Sequence, residues 1–134
     1  EIVLVTRSNG NLAKRTEITP QELTSIPLVL REQGSGTLDV VYKALAQVKI
    51  SPKDLQIEAH FQSSGSITQY LLHSDTAAFI SIQSIFKELK YNELSIIEIK
   101  DLEIFRTLQF IHLHGNNSKL VDLFKRFCRG HNLK

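Results

Sequence analysis

The stretch from Pro27 to Val41 constrains the fold more than any other part of the chain. Leu28 to Arg31 is an apolar run restarted by Pro27, and it reads as a buried strand. Gly34-Ser35-Gly36-Thr37 follows as a turn. Leu38, Val41, Leu45 and Val48 then recur at helical spacing and form one buried stripe. A strand that turns through glycine into an amphipathic helix points backbone N–H groups and a helix N-terminus at whatever sits above the strand end. Such a place suits a small anion or another polar ligand.

The same alternation extends along the chain. Ile2 to Val5 is a β-branched apolar run and predicts a buried strand, followed by a turn at Ser8-Asn9-Gly10-Asn11. Thr19-Pro20-Gln21-Glu22 is a helix start, with a capping threonine, proline at the first helical position and a capping-box carboxylate. Pro27 keeps that helix short. Leu55 to Phe61 alternates apolar and polar residues and predicts a half-buried strand. Ser63-Ser64-Gly65-Ser66 opens a further helix, with Ile67, Tyr70 and Leu71 facing inward. Ala77 to Ile82 is a short strand, Ser84 to Leu89 a helix, Ile96 to Ile99 a strand and Leu108 to Leu113 a last strand. Ser118 to Arg129 is a terminal helix with Leu120, Leu123, Phe124 and Phe127 on one face. Strands alternating with helices predict an α/β fold with a mostly parallel sheet.

Composition narrows the function classes. With 134 residues the chain can form one domain with a real core. A net charge of +2 is too small to imply nucleic-acid binding by these residues. The single Cys128 excludes an internal disulfide framework and favours a reducing compartment, so the cytoplasm is expected. No apolar run approaches the roughly 20 residues of a membrane span, and no signal peptide is evident. The chain begins at Glu1 and contains no Met, so it reads as a fragment.

Several passages, in order, carry a family resemblance. They are Glu1 to Thr6, Asn11 to Arg15, Ile18 to Leu23, Ile26 to Thr37, Phe61 to Ser66, Ala77 to Ser81, Glu93-Leu94 and Arg106 to His114. Together they resemble the effector-binding domain of LysR-type transcriptional regulators, with Ile26 to Thr37 the closest passage. Where that family has a glycine-rich step before its third strand, this chain has His73-Ser74-Asp75-Thr76-Ala77. The resemblance implies a periplasmic-binding-protein-like (type II) α/β structure with a ligand between two lobes. Residues 1–6 would be a hinge strand and residues 7–107 the second lobe. Residues 108–134 would be the return strand and C-terminal helix of a first lobe that is mostly absent. DNA would be contacted only through an N-terminal helix-turn-helix absent from this chain, and the full protein, a bacterial regulator, would be a homo-oligomer.

In open parallel sheets ligands bind beyond the carboxyl ends of the strands, at the topological switch point. Those ends are Arg31 to Thr37, Gln62 to Ser66 and Ser81 to Gln83. The expected effector-binding residues are therefore Arg31, Gln33, Gly34, Ser35, Gly36, Thr37, Ser63 and Ser81. Arg31 suits a carboxylate, Gln33 and Ser35 offer side-chain hydrogen bonds, and Gly34 and Gly36 allow close backbone approach. Plainer roles stand beside these. Thr37 and Ser63 to Ser66 also suit helix capping, and Arg31 also suits a local ion pair.

Other chemistry is poorly supported. Gln33 stands where a nucleophile elbow needs glycine, and no Gly-Lys-Ser/Thr follows the turn as a P-loop requires. His112, His114 and His131 have no carboxylate at metal-ligand spacing. Cys128 reads as a buried inert thiol, and Lys125, Arg126 and Arg129 as a solvated helix end. No enzyme activity, metal or cofactor is expected. A solute-binding protein of a transporter, which shares this fold, is the alternative function.

Overall fold

A computed structural model describes residues 1–106 and Arg126. The elements are β1 (Ile2–Arg7), β2 (Glu17–Ile18), α1 (Pro20–Leu23), β3 (Pro27–Arg31), α2 (Gly36–Gln47), β4 (Gln56–Phe61), α3 (Ser64–Leu72), β5 (Ala77–Ser81), α4 (Phe86–Lys90) and β6 (Leu94–Ile99). Short 3-10 turns at Asn11–Lys14, Pro52–Asp54 and Ile82–Ile85 link them. The strands form one six-stranded sheet in the order β2-β6-β1-β5-β3-β4.

The sheet is mostly parallel. β3 is parallel to β4 and β5, and β2 is parallel to β6. β1 alone is reversed, antiparallel to both β5 and β6. The strand–helix alternation predicts parallel pairing only for strands joined by crossover helices, and β1 enters before the first of these.

Period-two alternation divides the apolar residues between the two faces. Ile2 and Leu4 of β1, Leu28 and Leu30 of β3, and Ala77 and Phe79 of β5 pack with Leu38, Val41 and Leu45 of α2. Val3 and Val5, Val29, and Ala78 and Ile80 pack on the other side with Ile67 and Leu71 of α3. Strands covered on both faces read as continuous apolar runs, as β1, β3 and β5 do. Each fully buried leucine or isoleucine contributes roughly 1.5–3 kcal/mol through burial. One polar core position is satisfied within the sheet, where buried Thr6 donates from Oγ1 to the Thr76 carbonyl at 2.8 Å. β4 lies at the edge and alternates half-buried and exposed residues, as its pattern predicts.

The helix α1 carries the expected capping box. Thr19 Oγ1 accepts from the Glu22 N–H at 3.3 Å, and a Glu22 carboxylate oxygen accepts from the Thr19 N–H at 2.7 Å. Two details differ from expectation. Tyr70 is exposed rather than inward-facing, because the buried stripe of α3 runs through Ile67, Thr68 and Leu71. Its ring leans on Phe61 at the sheet edge, with centroids 5.3 Å apart. Val48 is the C-cap of α2 and only half-buried, so Ile50 completes the stripe instead. The chain reverses at Lys49 (φ 64), which lets the Ile50 N–H donate to the Leu45 carbonyl at 3.0 Å in a Schellman-type ending.

The turn before β5 replaces glycine with side-chain hydrogen bonds. Ser74 Oγ donates to the Tyr70 carbonyl at 2.8 Å and lies 2.7 Å from Thr76 Oγ1. Asp75 pairs with Arg7 at 2.8 Å. The expected strand at Leu108 to Leu113, most of the terminal helix, Cys128 and the three histidines His112, His114 and His131 lie outside the described residues. Arg126 is exposed.

Candidate functional site

The crossovers leave β3 and β5 in opposite directions across the sheet. α2 follows β3 over one face, and α3 returns over the other before β5. β3 and β5 are adjacent and parallel, so their carboxyl ends flank a topological switch point. A cavity of about 220 Å³ lies there. Arg31 from β3, Thr37 from α2 and Ser81 from β5 line it, so three of the sequence-predicted residues come together.

The loop between β3 and α2 explains the placement of the others. The Ser35 N–H donates to the Glu32 carbonyl at 3.2 Å and closes a turn in which Gly34 takes φ +91. This is the backbone conformation that requires glycine. No atom lies within 4 Å of where a Gly34 side chain would begin, so the residue serves the turn. Gln33 and Gly34 are exposed at its tip, outside the cavity lining. Ser35 is buried as the N-cap of α2, yet its side chain makes no capping hydrogen bond. Thr37 therefore sits inside the helix and is not its cap. Gly36 has a different reason for lacking a side chain. A Cβ there would stand 2.8 Å from Nη2 of Arg106.

At the next strand end Ser63 acts as a cap. It is exposed, and its Oγ accepts from the Ser66 N–H at 3.1 Å and donates to Ser66 Oγ at 2.9 Å. The neighbouring Ser64, not Ser63, reaches the cavity.

Two guanidinium groups border the cavity and differ in their partners. Arg31 pairs with Glu32, Nε to Oε2 at 3.1 Å and Nη2 to Oε1 at 3.3 Å. That pair holds the Glu32 carboxyl below the ordinary carboxylate range. Arg106 donates from Nη1 to Thr37 Oγ1 at 3.2 Å, and among the described residues it has no carboxylate partner. Sequence reasoning passed over Arg106, which reaches the site from 69 positions away. Glu1 borders the cavity too, at the start of β1.

A larger cavity of about 760 Å³ lies where β1 and β6 diverge. β1 pairs with β6 only from Leu4 to Arg7, and beyond that Ile2 bridges to Ile104 on that side instead of to β6. Glu1, Glu17, Glu98, Asp101 and Glu103 surround its apolar floor, and among the described residues Lys100 is the one cationic side chain lining it. Size favours this cavity, but charge disfavours it for an anion. The smaller one gathers hydroxyls and two guanidinium groups and is the better candidate. Among the described residues no group of three or more His, Cys, Asp or Glu stands close enough to hold a metal, and no helix is long and apolar enough to cross a membrane.

A family model described as the LysR substrate binding domain matches residues 1–132. The chain belongs to that family. Among relatives of this LysR-family chain, a probable RuBisCO transcriptional regulator of Synechocystis is 32% identical over 111 residues, covering 83% of this chain and 32% of its own. The regulator CysL of Bacillus subtilis is 26% identical over 125 residues, covering 92% and 41%. The chain thus spans about a third of the length of the first of these relatives and two-fifths of the second. Among solved structures, the regulatory domain of Synechocystis CcmR in complex with 2-PG has a TM-score of 0.76 at 18% identity, covering 99% of this chain and 63% of its own. The effector-binding domain of QuiR in complex with shikimate has a TM-score of 0.67 at 16% identity, covering 98% and 60%. These structures share the fold, a periplasmic-binding-protein-like α/β architecture.

Proposed function

We propose that this chain is the ligand-sensing part of a LysR-type transcriptional regulator and that its effector is a small anion or organic acid. The observation that carries the reading is the switch-point cavity, where Arg31, Thr37 and Ser81 converge from separate elements. The regulatory relatives and the small molecules named with CcmR and QuiR support the same direction. Arg31 binds the anion, with hydroxyls of Thr37 and Ser81 completing the first contacts. Ser35 and Gly36 supply backbone at the α2 start, while Gln33, Gly34 and Ser63 form the outer rim.

Residues 1–6 serve as the hinge strand, residues 7–107 as the second lobe, and residues 108–134 as the return into a first lobe supplied elsewhere in the protein. DNA is reached through a helix-turn-helix domain outside this chain, in a cytoplasmic homo-oligomer. The domain performs no catalysis. Ligand binding regulates by favouring one arrangement of lobes or subunits over another.

Thermal melts of the full-length protein test this, with inorganic phosphate, sulfate, 2-PG, shikimate and other small organic acids as probes. A ligand that binds only the folded state raises the melting temperature. The expected result is a rise with at least one anion that is lost in Arg31→Ala and reduced in Ser81→Ala. A rise that survives both substitutions would move the effector away from the switch point. No rise with any anion would remove the anion reading.

A further inference from the structure

The segment leaving β6 does more than connect. After Ile99 the chain turns through Asp101 (φ 60), and Leu102 N–H donates to the Ile99 carbonyl at 3.1 Å. Ile104 is buried and bridges back to β1, where the Ile2 N–H donates to its carbonyl at 2.8 Å. Arg106 follows two residues later. Its guanidinium is seated over Gly36, which leaves room for it by lacking a Cβ, and it is hydrogen-bonded to Thr37. The exit segment thus delivers a cation to the rim of the same cavity that Arg31 and Ser81 line.

From this placement we infer that Arg106 is the second anion-holding cation of the site, and that its grip on the ligand fastens the exit segment to the strand ends. The inference rests on the effector reading above and adds its coupling. Three observations carry it. Arg106 makes only a single neutral hydrogen bond among the described residues, whereas Arg31 is already engaged by Glu32. A guanidinium with a neutral partner retains its charge and free N–H groups for an incoming anion. Gly36 and Thr37 hold it at the cavity, so little ordering is needed on binding. Finally, Arg106 lies on a different segment from Arg31 and Ser81, so an anion touching all three ties together pieces that, among the described residues, the Ile2–Ile104 bridge and the Arg106–Thr37 hydrogen bond already bring close. Glu1 opposes the arrangement as the one carboxylate lining the cavity among the described residues, and it favours ligands whose charge sits toward the two arginines.

The test uses the full-length protein with inorganic phosphate, measured by titration calorimetry across a salt series and by amide hydrogen exchange. Arg106→Gln should weaken phosphate binding about tenfold, the usual scale of one charge-assisted hydrogen bond, and flatten its salt dependence. Arg106→Lys should recover part of the affinity, since it keeps the charge but loses the planar fork. Gly36→Ala keeps the guanidinium but displaces it, and should give a smaller loss. In the wild type, saturating phosphate should slow exchange at the Ile2 and Leu102 amides. In Arg106→Gln it should not, even at saturation. Unchanged affinity in Arg106→Gln, with binding still dependent on Arg31 and Ser81, would overturn the inference and leave the effector reading standing. Weaker binding with the exchange protection intact would overturn the coupling. Failure of the wild type to bind phosphate or any other anion would overturn both.

Discussion

The starts of α2 and α3 have similar sequences and lie beside each other. Gln33-Gly34-Ser35-Gly36-Thr37 follows β3, and Gln62-Ser63-Ser64-Gly65-Ser66 follows its parallel neighbour β4, with Arg31 opposite Phe61 in the register. In α3 the first serine spends its oxygen on the helix, accepting from the Ser66 N–H. In α2 glycine occupies the corresponding place and turns the chain, and the serine that follows caps with its backbone only. The α3 start satisfies itself. The α2 start gets no side-chain cap from Ser35 and brings Thr37 to the cavity beside two guanidinium groups. Similar composition at two strand ends has produced a structural cap at one and an open polar surface at the other. The difference lies in two exchanges, Gly34 for Ser63 and Thr37 for Ser66, together with a longer loop.

The largest expected effect tests which start meets the ligand. At a concentration about a hundred times its Kd, an anion that binds the folded state should stabilise the full-length protein by about 2.7 kcal/mol. Amide exchange should slow at Gly36, Thr37 and Leu38 and stay unchanged at Gly65 and Ser66. Protection at α3 instead would reverse the comparison.

Next in size is the turn itself. Gly34→Ala places a Cβ on a residue at φ +91 and should cost roughly 1–2 kcal/mol by denaturant unfolding. Because the space around it is open, strain alone would account for the loss. A neutral outcome would mean that the loop relaxes to another turn. The serines then separate the two caps. Ser63→Ala should cost about 1 kcal/mol through loss of a side-chain cap, whereas Ser35→Ala should cost only about a few tenths. Equal losses would mean that Ser35 caps α2 in solution and would erase the contrast.

Local signals made much of the fold legible. The Thr19–Glu22 box, the continuous apolar runs of β1, β3 and β5, and the alternation of β4 each stand in a few adjacent residues and survive folding unchanged. Helix ends were harder to read. Lys49 and Asn92 take positive φ where glycine would have marked the reversal. β2 is two residues long and exists only because β6 offers it an edge. Thr68 is buried and Tyr70 exposed because the neighbouring strand, which no single segment reveals, sets the rotation of α3. The site divides in the same way. Arg31, Thr37 and Ser81 follow from the strand-end rule once the strands are found. Arg106 arrives through a bridge between Ile2 and Ile104, a pairing with no local signature.

The smallest expected effect uses acid to tell the starts apart. Glu22 sits below the ordinary carboxylate range because it accepts from the Thr19 N–H. Asp54 is lowered in the same manner by the Ser51 N–H at 2.9 Å. A carboxyl whose pKa falls on folding adds stability above its unfolded value, and that stability is lost as pH drops through the folded value. Glu22→Gln and Asp54→Asn should therefore each flatten the acid limb of the stability curve slightly, both groups being exposed. The Ser63 cap has no titrating group and should survive. Glu32 gives the open start an opposite response. Its carboxyl is lowered chiefly by its hydrogen bond with Arg31, so protonation at acid pH releases that guanidinium. Sulfate remains dianionic through this range, and its affinity should rise as pH falls through the lowered Glu32 value. Glu32→Gln should bind sulfate more tightly than the wild type at neutral pH, with the acid-dependent rise gone. A rise that persists in Glu32→Gln would assign the titrating group elsewhere in the protein and detach Arg31 from the control of anion binding.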